Sequence, residues 1–151
     1  MKATQALLIS LFLSMSCWVH ADTLLTDTEG KNISFDSLKG KWVFINYWAG
    51  WCDTCVAEIP EFNRFYERHK KDPIALFAVN YDNLPLFKQN SLIRRLKIQY
   101  PNLLNDPGKE LRLGDLRGVP VTFVFNPKGE LVKTLYGGQT AESLDEVIST
   151  N

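Results

Sequence analysis

The chain has 151 residues, enough for one domain built around a single core. Hydrophobic residues make up 45%, near the globular average, which disfavours both disorder and a polytopic membrane protein. Seventeen Lys and Arg balance seventeen Asp and Glu, so the basic excess that a nucleic-acid binder uses to neutralise phosphates is missing.

The first twenty-one residues read as a secretory signal peptide. Lys2 supplies the positive start, residues 6–15 are a short apolar run, and Val19 and Ala21 put small residues at the −3 and −1 places of a cleavage site. The run is shorter than the ~20 residues a spanning helix needs. A retained anchor is the alternative. A lipidated Cys17 ranks third, because Ser14 stands where a lipoprotein box carries leucine. The expected domain is then 22–151, exported to the periplasm or outer surface.

After that segment, Asp27 to Gly30 forms a turn between two short extended pieces, Leu24-Leu25 and Ile33-Ser34-Phe35. Residues 42–48, rich in β-branched and aromatic side chains, suit a strand buried on both faces. From Cys52 to about Lys70 the apolar positions Val56, Ile59, Phe62, Phe65 and Tyr66 have helical spacing. Pro60 is expected to kink that helix, and His69, Lys70 and Lys71 suit its C-terminal dipole. Residues 74–81 form a second buried strand. Residues 85–96 form an amphipathic helix with Leu86, Phe87, Leu92, Ile93 and Leu96 inward and Lys88, Arg94 and Arg95 outward. A short strand over 101–104 and a short helix over 109–116 follow. Residues 121–125 and 131–136 make a hairpin around Asn126-Pro127-Lys128-Gly129. Thr140 caps a last helix, with Glu142 in its first turn. This order gives an α/β fold: a mixed sheet with helices on both faces, preceded by a short hairpin.

Removal of Cys17 leaves only Cys52 and Cys55. An exported pair is either a structural disulfide or a redox catalyst. A bridge across two residues closes too small a loop to stabilise much, which favours chemistry. Cys52 sits where a buried strand gives way to a long helix, and the free N–H groups and dipole of a helix start favour a thiolate there. Cys52 would be the accessible nucleophile and Cys55, one turn on, the resolving thiol. Half of a zinc site remains an alternative, but zinc needs two further ligands and His69 is the only histidine after Ala21. No metal or other cofactor is expected.

The stretch from Asn46 to Pro60, with Trp48-Ala49-Gly50-Trp51-Cys52-Asp53-Thr54-Cys55 at its centre, resembles the active-site segment of the thioredoxin superfamily, and more closely its exported TlpA/ResA-like branch. Gly118-Val119-Pro120-Val121-Thr122-Phe123 is similar to the cis-proline loop of the same family, and Gly129 to Glu142 follows its ending. The resemblance implies a thioredoxin-like fold and a cis Val119–Pro120 peptide beside the disulfide. It also implies a Val119 backbone that pairs with an extended substrate strand. Glu58 would lie near the cysteine pair and set thiol acidity. The superfamily's buried aspartate, six places before the first cysteine, is Asn46 here, so its role is absent or passes to Glu58. Trp51, Val119, Pro120 and the Gly137-Gly138 turn would form an apolar groove around Cys52.

Two departures from the family pattern matter: Thr54 replaces the usual proline, and Gly50 the usual serine or threonine. Asp53 adds negative charge that opposes a Cys52 thiolate, which implies a reducing couple. The partners implied are client proteins with disulfides, such as apocytochromes c or copper-handling proteins, and a membrane thiol donor of electrons. Three functions stay open at this point: a disulfide reductase, an oxidase or isomerase, and a copper-binding or adaptor module. The last lacks soft auxiliary ligands, since the only methionines are Met1 and Met15.

Overall fold

A computed structural model describes residues 22–150, so the signal-peptide reading of residues 1–21 lies outside the described residues. The chain opens on an antiparallel hairpin, β1 (Leu24–Thr26) and β2 (Asn32–Ser34). Asp27 shapes the turn, its Oδ1 accepting from the backbone N–H of Glu29 and of Lys31 at 2.9 Å. Phe35 does not extend β2. Ser34 Oγ accepts from Ser37 N instead and starts a 3₁₀ turn over Phe35–Leu38.

The main sheet follows: β3 (Trp42–Trp48), β4 (Ile74–Asn80), β5 (Asn102–Leu103), β6 (Val121–Phe125) and β7 (Leu131–Tyr136). Its order is β5-β4-β3-β6-β7. Strands β3, β4 and β5 run parallel, whereas β3–β6 and β6–β7 are antiparallel. Long crossovers allow the parallel pairs and the tight Asn126–Gly129 turn allows the last hairpin. In that turn Asn126 Oδ1 accepts from Lys128 N and Glu130 N, both at 3.0 Å.

Central β3 is buried on both faces, and alternation along it splits the core. Phe44 and Trp48 face helices α1 (Asp53–Arg68) and α3 (Ala141–Ser149), meeting Phe62, Phe65, Leu144 and Val147. Val43, Ile45 and Tyr47 face the other way, into a core closed by Leu25, Leu38 and Leu113. That second face carries the hairpin, the 3₁₀ turn and the 104–118 loop, in which a short helix over 109–116 was expected. Leu111 N and Leu113 N do bond back to Pro107 O and Gly108 O. The backbone then turns left-handed at Arg112 (φ 54°) and Gly114 (φ 81°), which stops the 109–116 helix after one turn.

Helix α1 runs on through Pro60, which lies on its exposed side. At its end His69 packs on Phe65 and bridges Asp72 through Nδ1 and Asp145 of α3 through Nε2, both at 2.6 Å. Helix α2 (Leu86–Leu96) corrects one expectation: Leu86 and Phe87 are exposed, not inward. The inward arc is centred on buried Gln89, whose Nε2 donates to Leu103 O at 2.9 Å, together with Leu92, Ile93 and Leu96. Phe87, two residues from Gln89, is turned about 200° from it and faces out.

Candidate active site

Strand β3 delivers the chain to a sharp turn at Ala49–Trp51, and α1 starts at Asp53 with Cys52 as its N-cap. Cys52 Sγ takes the place of a capping oxygen, accepting from Cys55 N at 3.1 Å. A disulfide joins Cys52 to Cys55, whose Cα atoms are 5.2 Å apart. The sulfur that would carry charge in the reduced state is therefore the acceptor at the positive end of a sixteen-residue helix. Cys55 is fully sealed, while Cys52 keeps 7% of its surface open, a narrower window than the accessible position expected.

The Val119–Pro120 peptide is cis, and Val119 O lies 3.6 Å from Cys52 Sγ, within reach of the thiol proton in a reduced pair. Gly138 is exposed on the other side of the helix start. A Cβ there would lie 3.0 Å from Thr54 Cγ2, so glycine eases the close approach of this loop to α1.

Glu58 shares a helical face with Cys55 and is only 3% exposed, so it is no solvated surface carboxylate. Its Oε1 accepts from Asn46 Nδ2 and its Oε2 from Gln139 N, both at 2.9 Å. Burial pushes its pKa up to about 7, with the two hydrogen bonds pulling the other way. Asn46 also donates to Thr122 Oγ1 at 3.1 Å, tying the glutamate to strands β3 and β6. The residue at the superfamily's aspartate position thus holds the carboxylate that α1 supplies.

Trp51 is 65% exposed and held in place. Its Nε1 donates to both carboxylate oxygens of Asp82 at 3.0 Å, and its ring meets Tyr81 edge-on at 6.5 Å. Sequence reading missed Asp82, Tyr81, Thr122 and the Gln139 amide. Thr122 and Gln139 lie within stretches quoted above, but no spacing rule points their contacts at Glu58; Tyr81 and Asp82 reach Trp51 where the chain leaves β4.

This arrangement can stabilise a thiolate at Cys52, keep Cys55 from solvent and hold a proton acceptor of near-neutral pKa behind the pair. The profile of the AhpC/TSA family matches residues 20–134. The chain belongs to that family. Sporulation thiol-disulfide oxidoreductase A of Bacillus subtilis is 34% identical over 130 residues, spanning 85% of this chain and 78% of that protein. Thiol-disulfide oxidoreductase ResA of Bacillus subtilis is 31% identical over 126 residues, spanning 83% and 70%. The crystal structure of StoA from Bacillus subtilis superposes with a TM-score of 0.70 at 33% identity, covering 83% of this chain and 95% of that one. This AhpC/TSA-family chain has a thioredoxin-like fold and is a thiol–disulfide oxidoreductase of ResA/StoA type with a Cys52–Cys55 pair.

Proposed function

We propose that this protein works in the periplasm or on the outer surface as a reductase of client disulfides. The observation that carries the direction is Asp53. It is exposed directly beside the nucleophile, where its charge opposes a Cys52 thiolate and so disfavours the reduced form.

In the cycle, the Cys52 thiolate attacks one client sulfur, a mixed disulfide forms, and the departing client thiolate takes up a proton. Cys55 then gives its proton to Glu58 and attacks Cys52 Sγ. That step releases the second client thiolate and leaves the Cys52–Cys55 disulfide, so two electrons have passed to the client. A membrane thiol donor returns the pair to its reduced form. Trp51, Val119, Pro120 and Gly138 are the residues assigned to the client's chain around Cys52, with an extended client segment pairing along Val119. Apocytochromes c awaiting haem and copper-handling proteins are the client classes that the family resemblance supports.

Equilibration with glutathione or dithiothreitol buffers tests the direction. The midpoint is expected on the reducing side, nearer the roughly −270 mV of thioredoxin than the roughly −120 mV of a strong oxidant. A midpoint above about −180 mV would make the protein an oxidase or isomerase instead.

A further inference from the structure

Helix α2 carries a feature that the redox site leaves unused. Between Asp82 and Asp106 the chain has no acidic residue, yet Lys88, Arg94, Arg95 and Lys97 all fall in that interval. Among the described residues none of these four cations makes an ion pair, whereas Arg64 and Arg68 of α1 are neutralised by Glu61, Glu142 and Asp145. With Gln89, Leu92, Ile93 and Leu96 turned to the core, the opposite arc is Phe87, Lys88, Ser91, Arg94 and Arg95, all exposed.

Both ends of this face are fixed relative to the redox pair. Midway along the helix, on its inward side, a Cβ on Gly50 would lie 3.2 Å from the Leu92 methyl groups. Trp51 and Asp82 are hydrogen-bonded just before Pro85 caps the helix. At the far end Asn63 of α1 donates to Lys97 O at 2.8 Å and accepts from Gln99 N at 2.9 Å. The helix therefore starts beside Cys52 and leads away from it, placing Arg95 about 12 Å beyond Phe87. Phe87 (69% exposed), with Leu86 (43%) at the flank of the arc in the first turn, stands at the redox end and the arginines trail behind.

We propose that α2 is the docking face for an acidic protein partner. The partner seats an apolar contact on Leu86 and Phe87 and lays carboxylates along Lys88, Arg94 and Arg95 while its disulfide meets Cys52. This deepens the reductase reading and rests on it. Complementary charge is the chemistry that selects such a partner and speeds the encounter. A lipid surface fits less well, because sinking Leu86 and Phe87 into acyl chains would press Trp51 and the mouth of Cys52 against the bilayer.

The test compares rates at which the reduced protein reduces three disulfides. Two are peptides identical except for flanking runs of glutamate or of lysine, and the third is the small neutral hydroxyethyl disulfide. The native chain is expected to favour the glutamate peptide by roughly tenfold or more at low salt, with the preference shrinking as salt rises. K88E/R94E/R95E should reverse that preference, K88Q/R94Q/R95Q should abolish it, and neither should change the rate with hydroxyethyl disulfide. Equal rates for the two peptides in the native chain, or a preference that survives charge reversal, overturns the inference while the reductase reading stands. Failure to reduce any of the three removes both. Sedimentation with anionic phospholipid vesicles, lost on charge reversal, would assign the face to a membrane and also overturn the inference.

Discussion

Cys55→Ser is expected to turn the protein into a trap that captures clients covalently and does not release them. Cys52 has the open edge and the helix-end hydrogen bond, so it still attacks; Cys55 is sealed behind it and is the group that would break the mixed disulfide. Turnover should fall to the uncatalysed background. Non-reducing electrophoresis of cells expressing the variant should show covalent adducts that thiol reductant dissolves and that Cys52→Ser removes. Mass spectrometry of those adducts identifies clients directly. A metal carrier would behave differently, losing metal and capturing nothing. Adducts that persist in Cys52→Ser/Cys55→Ser would mean that the pair is not the reacting group.

Glu58→Gln is expected to change how stability depends on pH. Burial moves the folded carboxyl up to about 7 from the ordinary 4.5, so between those limits the native state holds a proton that the unfolded chain has released. Stability therefore falls as pH rises from about 4.5 to 7, and the loss is complete above the folded value. That difference corresponds to about 3 kcal/mol as an upper figure. The variant removes the charge, and any cost of moving Asn46 Nδ2 off Thr122 Oγ1 does not vary with pH. Its remaining oxygen can accept from Gln139 N, and Asn46 can turn its otherwise unpartnered Oδ1 toward the new amide. Urea unfolding of the oxidised forms, in which the cysteines do not titrate, should show the variant gaining on the native chain by up to about 3 kcal/mol between pH 4.5 and 8. A stability difference that stays constant with pH would mean that Glu58 is not a buried acid. The destabilising carboxylate fits a functional role, because a base of near-neutral pKa is suited to take the resolving thiol's proton.

Much of this was legible in the sequence because local chemistry agreed with position. The run Trp42 to Trp48 suited a strand buried on both faces, and the helical spacing after it put the cysteines at a helix start. Glu58, three residues after Cys55, had to share its face. Tertiary partners were less visible. Asn46 meets Glu58 because β3 lies under α1, and the Gln139 amide meets it because the chain returns after β7; no spacing rule encodes either contact. Phe87 misled because its hydrophobicity suggested the core, whereas a single buried hydrogen bond from Gln89 sets the rotation of α2. The 109–116 segment has helical composition, but left-handed backbone at Arg112 and Gly114 ends it.

Alkylation of the fully reduced protein with iodoacetamide, followed across pH with each cysteine read by mass spectrometry, tests the placement of the two sulfurs most directly. Cys52 should react first, with an apparent midpoint below the free thiol value of about 8.5, and Cys55 should stay protected until the protein unfolds. Equal reactivity at the two cysteines, or a Cys52 midpoint at or above that free value, would contradict a helix-stabilised nucleophile backed by a buried resolving thiol.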